Sequence, residues 1–233
     1  MTSALVGCGR PSSQPESRTV AESSAQRVGL SIEESEQEAE IEAQIQAGLS
    51  LMRRGDLAGA LLLFQSLLAN YPHRSDLLLH IASIQEAQGQ ILQAEANYNS
   101  AIALNPTEPD AYVQRGQLLW EQRDPFRAQA DFDYALRLDP QQPEVLQQRG
   151  RLHLEQANYE AALSDFEAAI QLDPRAADPH LGKADTLAAL DSDQEAGDSL
   201  SDYPSLSRGH ISDRERGEIF YRLVDIRREA PGN

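Results

Sequence analysis

Residues 138–174 read LDPQQPEVLQQRGRLHLEQANYEAALSDFEAAIQLDP, so this stretch begins and ends with the same Leu-Asp-Pro tripeptide. Its outer prolines, Pro140 and Pro174, are 34 residues apart, and the same interval leads back to Pro106 and Pro72. Proline lacks a backbone donor and disfavours helical geometry in the residue before it, so each of these positions ends a helix. The spacing predicts a tandem repeat of 34 residues, which has to be recognised before any local motif is interpreted.

Small and aromatic residues recur at the same interval. One small series is Gly48, Ala82, Gly116, Gly150 and Ala184, a second is Ala60, Ala94, Ala128, Ala162 and Ala196, and the aromatic series is Phe64, Tyr98, Phe132 and Phe166. Two helices can cross closely only where both side chains are small, since overpacking costs about 1–3 kcal/mol per site. An aromatic residue fills the space between one pair of helices and the next. The pattern therefore predicts one helical hairpin per repeat.

Each hairpin has a first helix, A, and a second helix, B. The predicted A helices are Ile41–Arg54, Ser75–Gln88, Pro109–Gln122, Pro143–Gln156 and Ala177–Leu190. The predicted B helices are Leu57–Asn70, Ile91–Leu104, Phe126–Leu138, Tyr159–Leu172 and Asp193–Tyr203.

This order of small residue, small residue, aromatic and proline resembles the tetratricopeptide repeat family. The resemblance covers five units, 41–74, 75–108, 109–142, 143–176 and 177–206, of which the last matches least well. It implies an all-α fold, a right-handed α-solenoid of five hairpins in which stacking buries faces that no hairpin can bury alone.

The two ends of the chain lack the repeat. Residues 9–30 are rich in Ser, Pro, Gln and Glu and are predicted to be a flexible tether. Ser31-Ile32-Glu33-Glu34 fits a capping box, so the repeat region, 31–206, is predicted to open with a helix from near Ile32. Residues 207–233 are predicted to form a loop and a helix with an apolar stripe at Ile219, Phe220, Leu223 and Ile226. This last helix either caps the open end of the solenoid or binds a partner.

The only cysteine lies in Leu5-Val6-Gly7-Cys8, which resembles the lipobox of bacterial lipoproteins. Residues 1–8 would then be the remnant of a signal sequence whose start lies upstream, since Met1–Ala4 is too short for an apolar leader. Acylation at Cys8 would place the protein in the bacterial cell envelope, lipid-anchored and facing the periplasm. Without it, Cys8 is a free thiol in a cytoplasmic protein.

The formal net charge is −17, which repels the phosphates of nucleic acid and of anionic lipid. We therefore expect no nucleic-acid partner and membrane association only through a lipid anchor. The sequence contains no phosphate loop, nucleophile elbow or His-Glu-x-x-His motif, so neither catalytic residues, a metal site nor a cofactor is predicted.

In the family that the chain resembles, helix A lines a concave groove that binds partners. Carried over by position, the groove residues are Ile45, Leu49, Met52, Leu79, Val113, Gln117, Trp120, Gln147, Arg151, Leu154 and Leu181. Acidic residues stand among them, which suits a peptide or protein partner with apolar anchors and basic residues. Trp120 is either a hot spot for binding or packs against helix A of a neighbouring repeat.

The resemblance implies a protein–protein interaction scaffold rather than an enzyme. By size and layout the chain resembles the tetratricopeptide lipoproteins that assist pilus or outer-membrane assembly. Two alternatives remain open: a soluble cytosolic adaptor, and the regulatory repeat module of an enzyme.

Overall fold

A computed structural model describes residues 16–190, with side chains from residue 35, and beyond them Ser192, Glu195, Ala196 and Ser199. Within that part of the chain there are nine helices and no strand. The helices are α1 (Glu16–Arg53), α2 (Leu57–Asn70), α3 (Ser75–Ala87), α4 (Ile91–Leu104), α5 (Pro109–Glu121), α6 (Pro125–Leu138), α7 (Pro143–Glu155), α8 (Tyr159–Leu172) and α9 (Ala177–Ala189). The predicted all-α fold class is confirmed. The chain divides into two compact units, residues 1–67 and residues 68–233.

In the first four repeats, the turn between helix A and helix B has a residue in the left-handed conformation at the same position. Gly55 and Gly89 have φ of 81° and 74°, and at the same position of the next two repeats Arg123 and Ala157 have φ of 62° and 58°. The residue that follows donates its backbone N–H to the carbonyl five positions back, as Asp124 does to Leu119 at 2.9 Å. This is the Schellman pattern, which satisfies the last carbonyls of an α-helix. It ends each A helix one position before the predicted boundary.

The helix bounds otherwise follow the repeat. Three B helices, α2, α4 and α8, begin and end at the predicted residues, and α6 begins at Pro125 instead of Phe126 because proline is well suited to the first turn of a helix. The prediction that α1 starts near Ile32 is wrong, since it starts at Glu16. No proline follows Pro15 before the first repeat, so no residue of this segment lacks the backbone donor that a helix needs, and part of the predicted tether 9–30 is helical.

Three predicted features lie wholly or partly outside the described residues. They are Cys8 with residues 1–8, the second helix of the fifth repeat apart from Glu195, Ala196 and Ser199, and the predicted C-terminal helix within 207–233.

In the unit formed by residues 68–233, small and aromatic positions build the core as predicted. Ala128, Phe132 and Ala135 are fully buried in one cluster, and Ala94, Tyr98 and Ala101 are buried in the preceding one. At Gly150 an added Cβ would lie 2.9 Å from Phe166 Cε1, closer than real Cβ atoms approach. Glycine is therefore required where α7 approaches this ring.

In the unit formed by residues 1–67, α1 and α2 form the first hairpin. Ala60, Phe64 and Leu67 are buried on α2. A Cβ on Gly48 would come within 2.5 Å of Phe64 Cζ, so glycine allows α1 and the aromatic ring to meet.

Candidate partner-binding surface

The predicted groove positions of residues 68–233 lie on one face of α3, α5, α7 and α9, which we call the A-helix surface. Most of them are half-buried, namely Val113, Gln117, Trp120, Gln147, Leu154 and Leu181, and Arg151 is exposed. Leu79 is different because it is 7% exposed and belongs to the core cluster around Tyr98. Leu79 therefore offers little side chain to a partner, and we leave it out of the surface.

The three predicted groove residues of the first repeat lie on α1, in the other unit. Leu49 and Met52 are half-buried, whereas Ile45 is 3% exposed. A side chain buried to that degree cannot serve as an anchor point without rearrangement, so Ile45 is assigned to packing.

Trp120 joins two neighbouring A helices. Its Nε1 donates a hydrogen bond of 2.8 Å to Glu155 Oε2 at the end of α7. Its ring meets Phe132 edge-on, with the centroids 6.5 Å apart. These contacts agree with the packing alternative for Trp120, while the part of the half-buried indole that remains exposed is open to a partner.

Polar contacts also join α7 to α9. Gln147 Nε2 donates to Asp178 Oδ2 at 3.1 Å, and Arg151 Nη2 lies 3.4 Å from the same oxygen. These groups are exposed, so the ion pair contributes at most about 1 kcal/mol to stability. Arg151 is thus engaged by a carboxylate of the next repeat, and the basic charge it brings to the surface is locally compensated.

Carboxylates gather at the C-terminal ends of three successive A helices, at Glu86, Glu121 and Glu155. The helix dipole is negative at that end, so acidic groups there are unfavourable. Burial raises the pKa of the Glu86 carboxyl and the charge of Glu121 raises it further, against a 2.7 Å hydrogen bond from Tyr98 that lowers it. Burial is the main cause of the raised pKa of Glu86, and the smaller effect of Glu121 has the direction expected of repulsion between two carboxylates.

A second acidic row lies in the first turn of α3, α5, α7 and α9, at Asp76, Asp110, Glu144 and Asp178. Here the helix dipole favours negative charge. Asp76 is paired with Arg74 at 2.6 Å, and Asp178 is the acceptor for Gln147 and Arg151. The A-helix surface therefore has half-buried apolar side chains between two rows of carboxylates.

Sequence reasoning missed a ladder of arginines on the other side of the A helices. Arg115 on α5 donates two hydrogen bonds, of 2.6 and 2.8 Å, to Asp131 on α6, the B helix of the same repeat. It donates a third to Asn99 of the preceding repeat. Arg149 repeats this arrangement with Asp165 and Asp133. The 34-residue interval between the two arginines was the signal that could have found them.

The described residues hold no group of three His, Cys, Asp or Glu side chains arranged to bind a metal ion. None of the helices in the described part of the chain has the length and apolar character needed to cross a bilayer.

The stacked hairpins and the row of A helices define a helical-repeat scaffold. Three profiles match the chain, described as tetratricopeptide repeat at residues 116–187 and 42–73 and as TPR repeat at residues 86–122. The chain belongs to the tetratricopeptide repeat family, whose members are typically non-enzymatic scaffolds that bind other proteins or peptides. No curated protein matches it in sequence.

Solved structures share the fold at low sequence identity. PilF of Pseudomonas aeruginosa is 20% identical with a TM-score of 0.67, and the match covers 83% of this chain and 93% of PilF. MamA of Desulfovibrio magneticus RS-1 is 16% identical with a TM-score of 0.64, covering 74% and 97%. YrrB, described as a TPR protein with an unusual peptide-binding site, is 17% identical with a TM-score of 0.61, covering 79% and 90%. At such identities the likeness concerns the fold alone.

Proposed function

We propose that the A-helix surface binds a segment of a partner protein that carries apolar anchors flanked by Lys or Arg. The observation that carries this proposal is the arrangement of half-buried Val113, Trp120, Leu154 and Leu181 between two rows of carboxylates. Few cations neutralise these rows, and Glu86 and Glu121 already repel each other. A basic partner would relieve that repulsion while covering the apolar side chains.

The width of the surface fits a helical segment. Asp110 in the first turn of α5 and Glu121 at its end are separated by about 16 Å along the helix, at 1.5 Å per residue. An α-helix with its side chains is about 10–12 Å across, so its apolar face reaches the centre of the surface while basic residues on its flanks reach both rows.

A lipid-anchored envelope protein is proposed below as the cellular setting of this scaffold. Two other settings are compatible with it: a soluble adaptor, and the repeat module of an enzyme. The same A-helix surface would bind the partner in each setting. Its binding can therefore be tested independently of the setting.

Binding can be tested with a 14-residue peptide of leucine and lysine arranged to form a helix with one apolar face. We expect this peptide to change the emission of Trp120, the chain's only tryptophan, and to bind about tenfold more weakly to Glu121→Gln/Glu155→Gln. Added salt should weaken binding. Acidification should weaken it too, and Glu86, whose pKa is raised, should lose its charge before carboxyls with ordinary pKa values.

The matched control removes two exposed carboxylates elsewhere, in Glu160→Gln/Asp173→Asn. This variant has the same net charge as the test variant and should bind the peptide as the wild type does. An equal loss of peptide affinity in both variants would mean that binding depends only on the net charge of the protein. That result would contradict specific binding at the A-helix surface. Tight binding of a peptide with Glu in place of Lys would contradict it as well.

We also propose that Cys8 is acylated and tethers the scaffold to a bacterial membrane. The support is the sequence Leu5-Val6-Gly7-Cys8, which uses the only cysteine of the chain. In the native cells the wild-type protein should enter the detergent phase of a Triton X-114 extraction, and mass spectrometry should find a diacylglyceryl group on Cys8. The variant Cys8→Ser should move to the aqueous phase. Wild-type protein in the aqueous phase would favour the soluble adaptor.

A further inference from the structure

The two most exposed large apolar side chains in the described part of the chain lie on consecutive B helices. Leu92 on α4 and Phe126 on α6 are each 81% exposed. Each is the second residue of its helix, so the two occupy the same position of successive repeats. Ala96 and Ala130, one helical turn further along, are exposed as well. We call these four residues the B-helix patch.

The B-helix patch is confined to α4 and α6. On α8 the equivalent positions are Glu160 and Ser164, which are exposed and polar. A single exposed apolar side chain is common on protein surfaces, whereas apolar side chains grouped on adjacent helices mark a surface that another protein covers. The B-helix patch therefore has the character of an interface.

An ion pair crosses from α6 to α4 beside the patch. Arg127 Nη2 lies 2.5 Å from Oε1 of Glu95, which is the only charged residue of α4. This contact shows that the exposed faces of the two helices are adjacent, and it leaves the patch without excess charge. Two copies of a chain with a net charge of −17 repel each other, and that repulsion is least where a surface carries balanced charge.

We propose that the B-helix patch is the interface of a homodimer. A two-fold axis parallel to the B helices, midway between α4 and α6, places α6 of each copy over α4 of the other. Phe126 then packs against Leu92 of the partner subunit, and Arg127, which is 54% exposed, faces Glu95 of the partner subunit. Each of the two helices thus supplies one member of an apolar pair and one member of an ion pair. The patch is therefore complementary to itself, as a two-fold interface requires.

The small size of the patch makes the dimer weak. Interfaces at the low end of the size range form transient complexes, and we expect a dissociation constant on the order of 100 µM. In urea denaturation at a concentration about a hundredfold lower, variants of Phe126 and Arg127 therefore report on the monomer. No residue of the patch is a predicted groove position, so the dimer and the binding function proposed for the A-helix surface can fail independently.

Analytical ultracentrifugation of the 233-residue chain, unacylated and with Cys8 kept reduced, tests the proposal. Up to about 500 µM, the weight-average mass of the wild type should rise towards that of a dimer. Self-association should be at least tenfold weaker in Leu92→Glu/Phe126→Glu. The matched control, Ser164→Glu/Gln171→Glu, adds the same charge at exposed positions of α8 and should associate as the wild type does. A wild type that stays monomeric, or equal weakening in both variants, would overturn the proposal.

A mixture of two complementary variants tests the two-fold arrangement. Phe126→Lys and Leu92→Glu should each associate weakly alone, because each places a charge against an apolar side chain at both contacts of the dimer. An equal mixture should associate more strongly than either variant, since one contact is then the native apolar pair and the other joins the two introduced opposite charges. A mixture that associates no better than the separate variants would overturn the proposal, because Phe126 would then not meet Leu92 of the partner subunit.

Discussion

Replacing Arg149 by methionine is expected to lower the free energy of unfolding by about 3 kcal/mol, because it leaves a buried carboxylate without its cation. The Asp165 side chain is only 7% exposed and receives two hydrogen bonds from Arg149, of 2.6 and 2.8 Å. Those hydrogen bonds raise the pKa of Arg149, against the opposing effect of burial. His153 Nε2, at 3.9 Å, is too distant to replace the guanidinium. Urea denaturation measures the change.

The matched control for this experiment is Arg127→Met. Arg127 also pairs with a carboxylate of the preceding repeat, Glu95, but its side chain is 54% exposed. Water screens such a pair, so its loss should cost less than about 1 kcal/mol.

A second variant identifies the cause of the loss. Adding Asp165→Asn to Arg149→Met removes the buried charge and should recover a large part of the lost stability, since a neutral amide is far less costly to bury than an unpaired carboxylate. If the double variant is as unstable as the single one, Arg149 contributes through the packing of its alkyl chain instead of through charge.

The hairpins could be predicted because the same residue types recur at the same packing positions of successive repeats. Pro106, Pro140 and Pro174 end helices for a local reason, and the small and aromatic series report contacts that recur in each repeat. Such signals reinforce one another at a fixed interval. The B helices of the first four repeats accordingly begin and end where the pattern placed them, apart from the one-residue difference at Pro125.

Features that depend on neighbouring repeats were harder to predict. Position within helix A suggested that Ile45 and Leu79 face a groove, yet both are buried, since burial depends on what packs beside them. The contacts of Arg115 and Arg149 were not predicted, because their partners lie sixteen residues away in either direction. Left-handed geometry at Arg123 and Ala157 was equally hidden, because glycine is its usual sequence signal.

Tyr112 and His180 occupy the same position of the third and fifth repeats and make the same polar contact. Tyr112 donates its hydroxyl to the carbonyl of Pro106 at 3.0 Å, and His180 Nε2 lies 3.3 Å from the carbonyl of Pro174. Both side chains therefore contact the same carbonyl of the repeat. The two positions share a ring with a polar atom that reaches this carbonyl.

Truncating Phe166 to alanine is expected to cost about 3–5 kcal/mol, measured by urea denaturation, because its ring is fully buried between two A helices. An added Cβ would lie 2.9 Å from ring atom Cε1 at Gly150 on α7 and 2.4 Å from it at Gly182 on α9. The ring therefore fills the space where the fourth and fifth repeats meet, and the two glycines leave no side chain that could relax into the cavity.

Phe126→Ala is the control of identical chemistry. Phe126 is 81% exposed on α6, so its truncation should change stability by no more than about 0.5 kcal/mol. Gly182→Ala then tests the geometry itself. In the wild type it should destabilise by about 1–3 kcal/mol through overpacking, whereas in Phe166→Ala it should be neutral or stabilising, because the added methyl group enters the cavity. Equal effects of Gly182→Ala in the two backgrounds would mean that the ring does not lie against α9, and the packing assigned to this junction would be wrong.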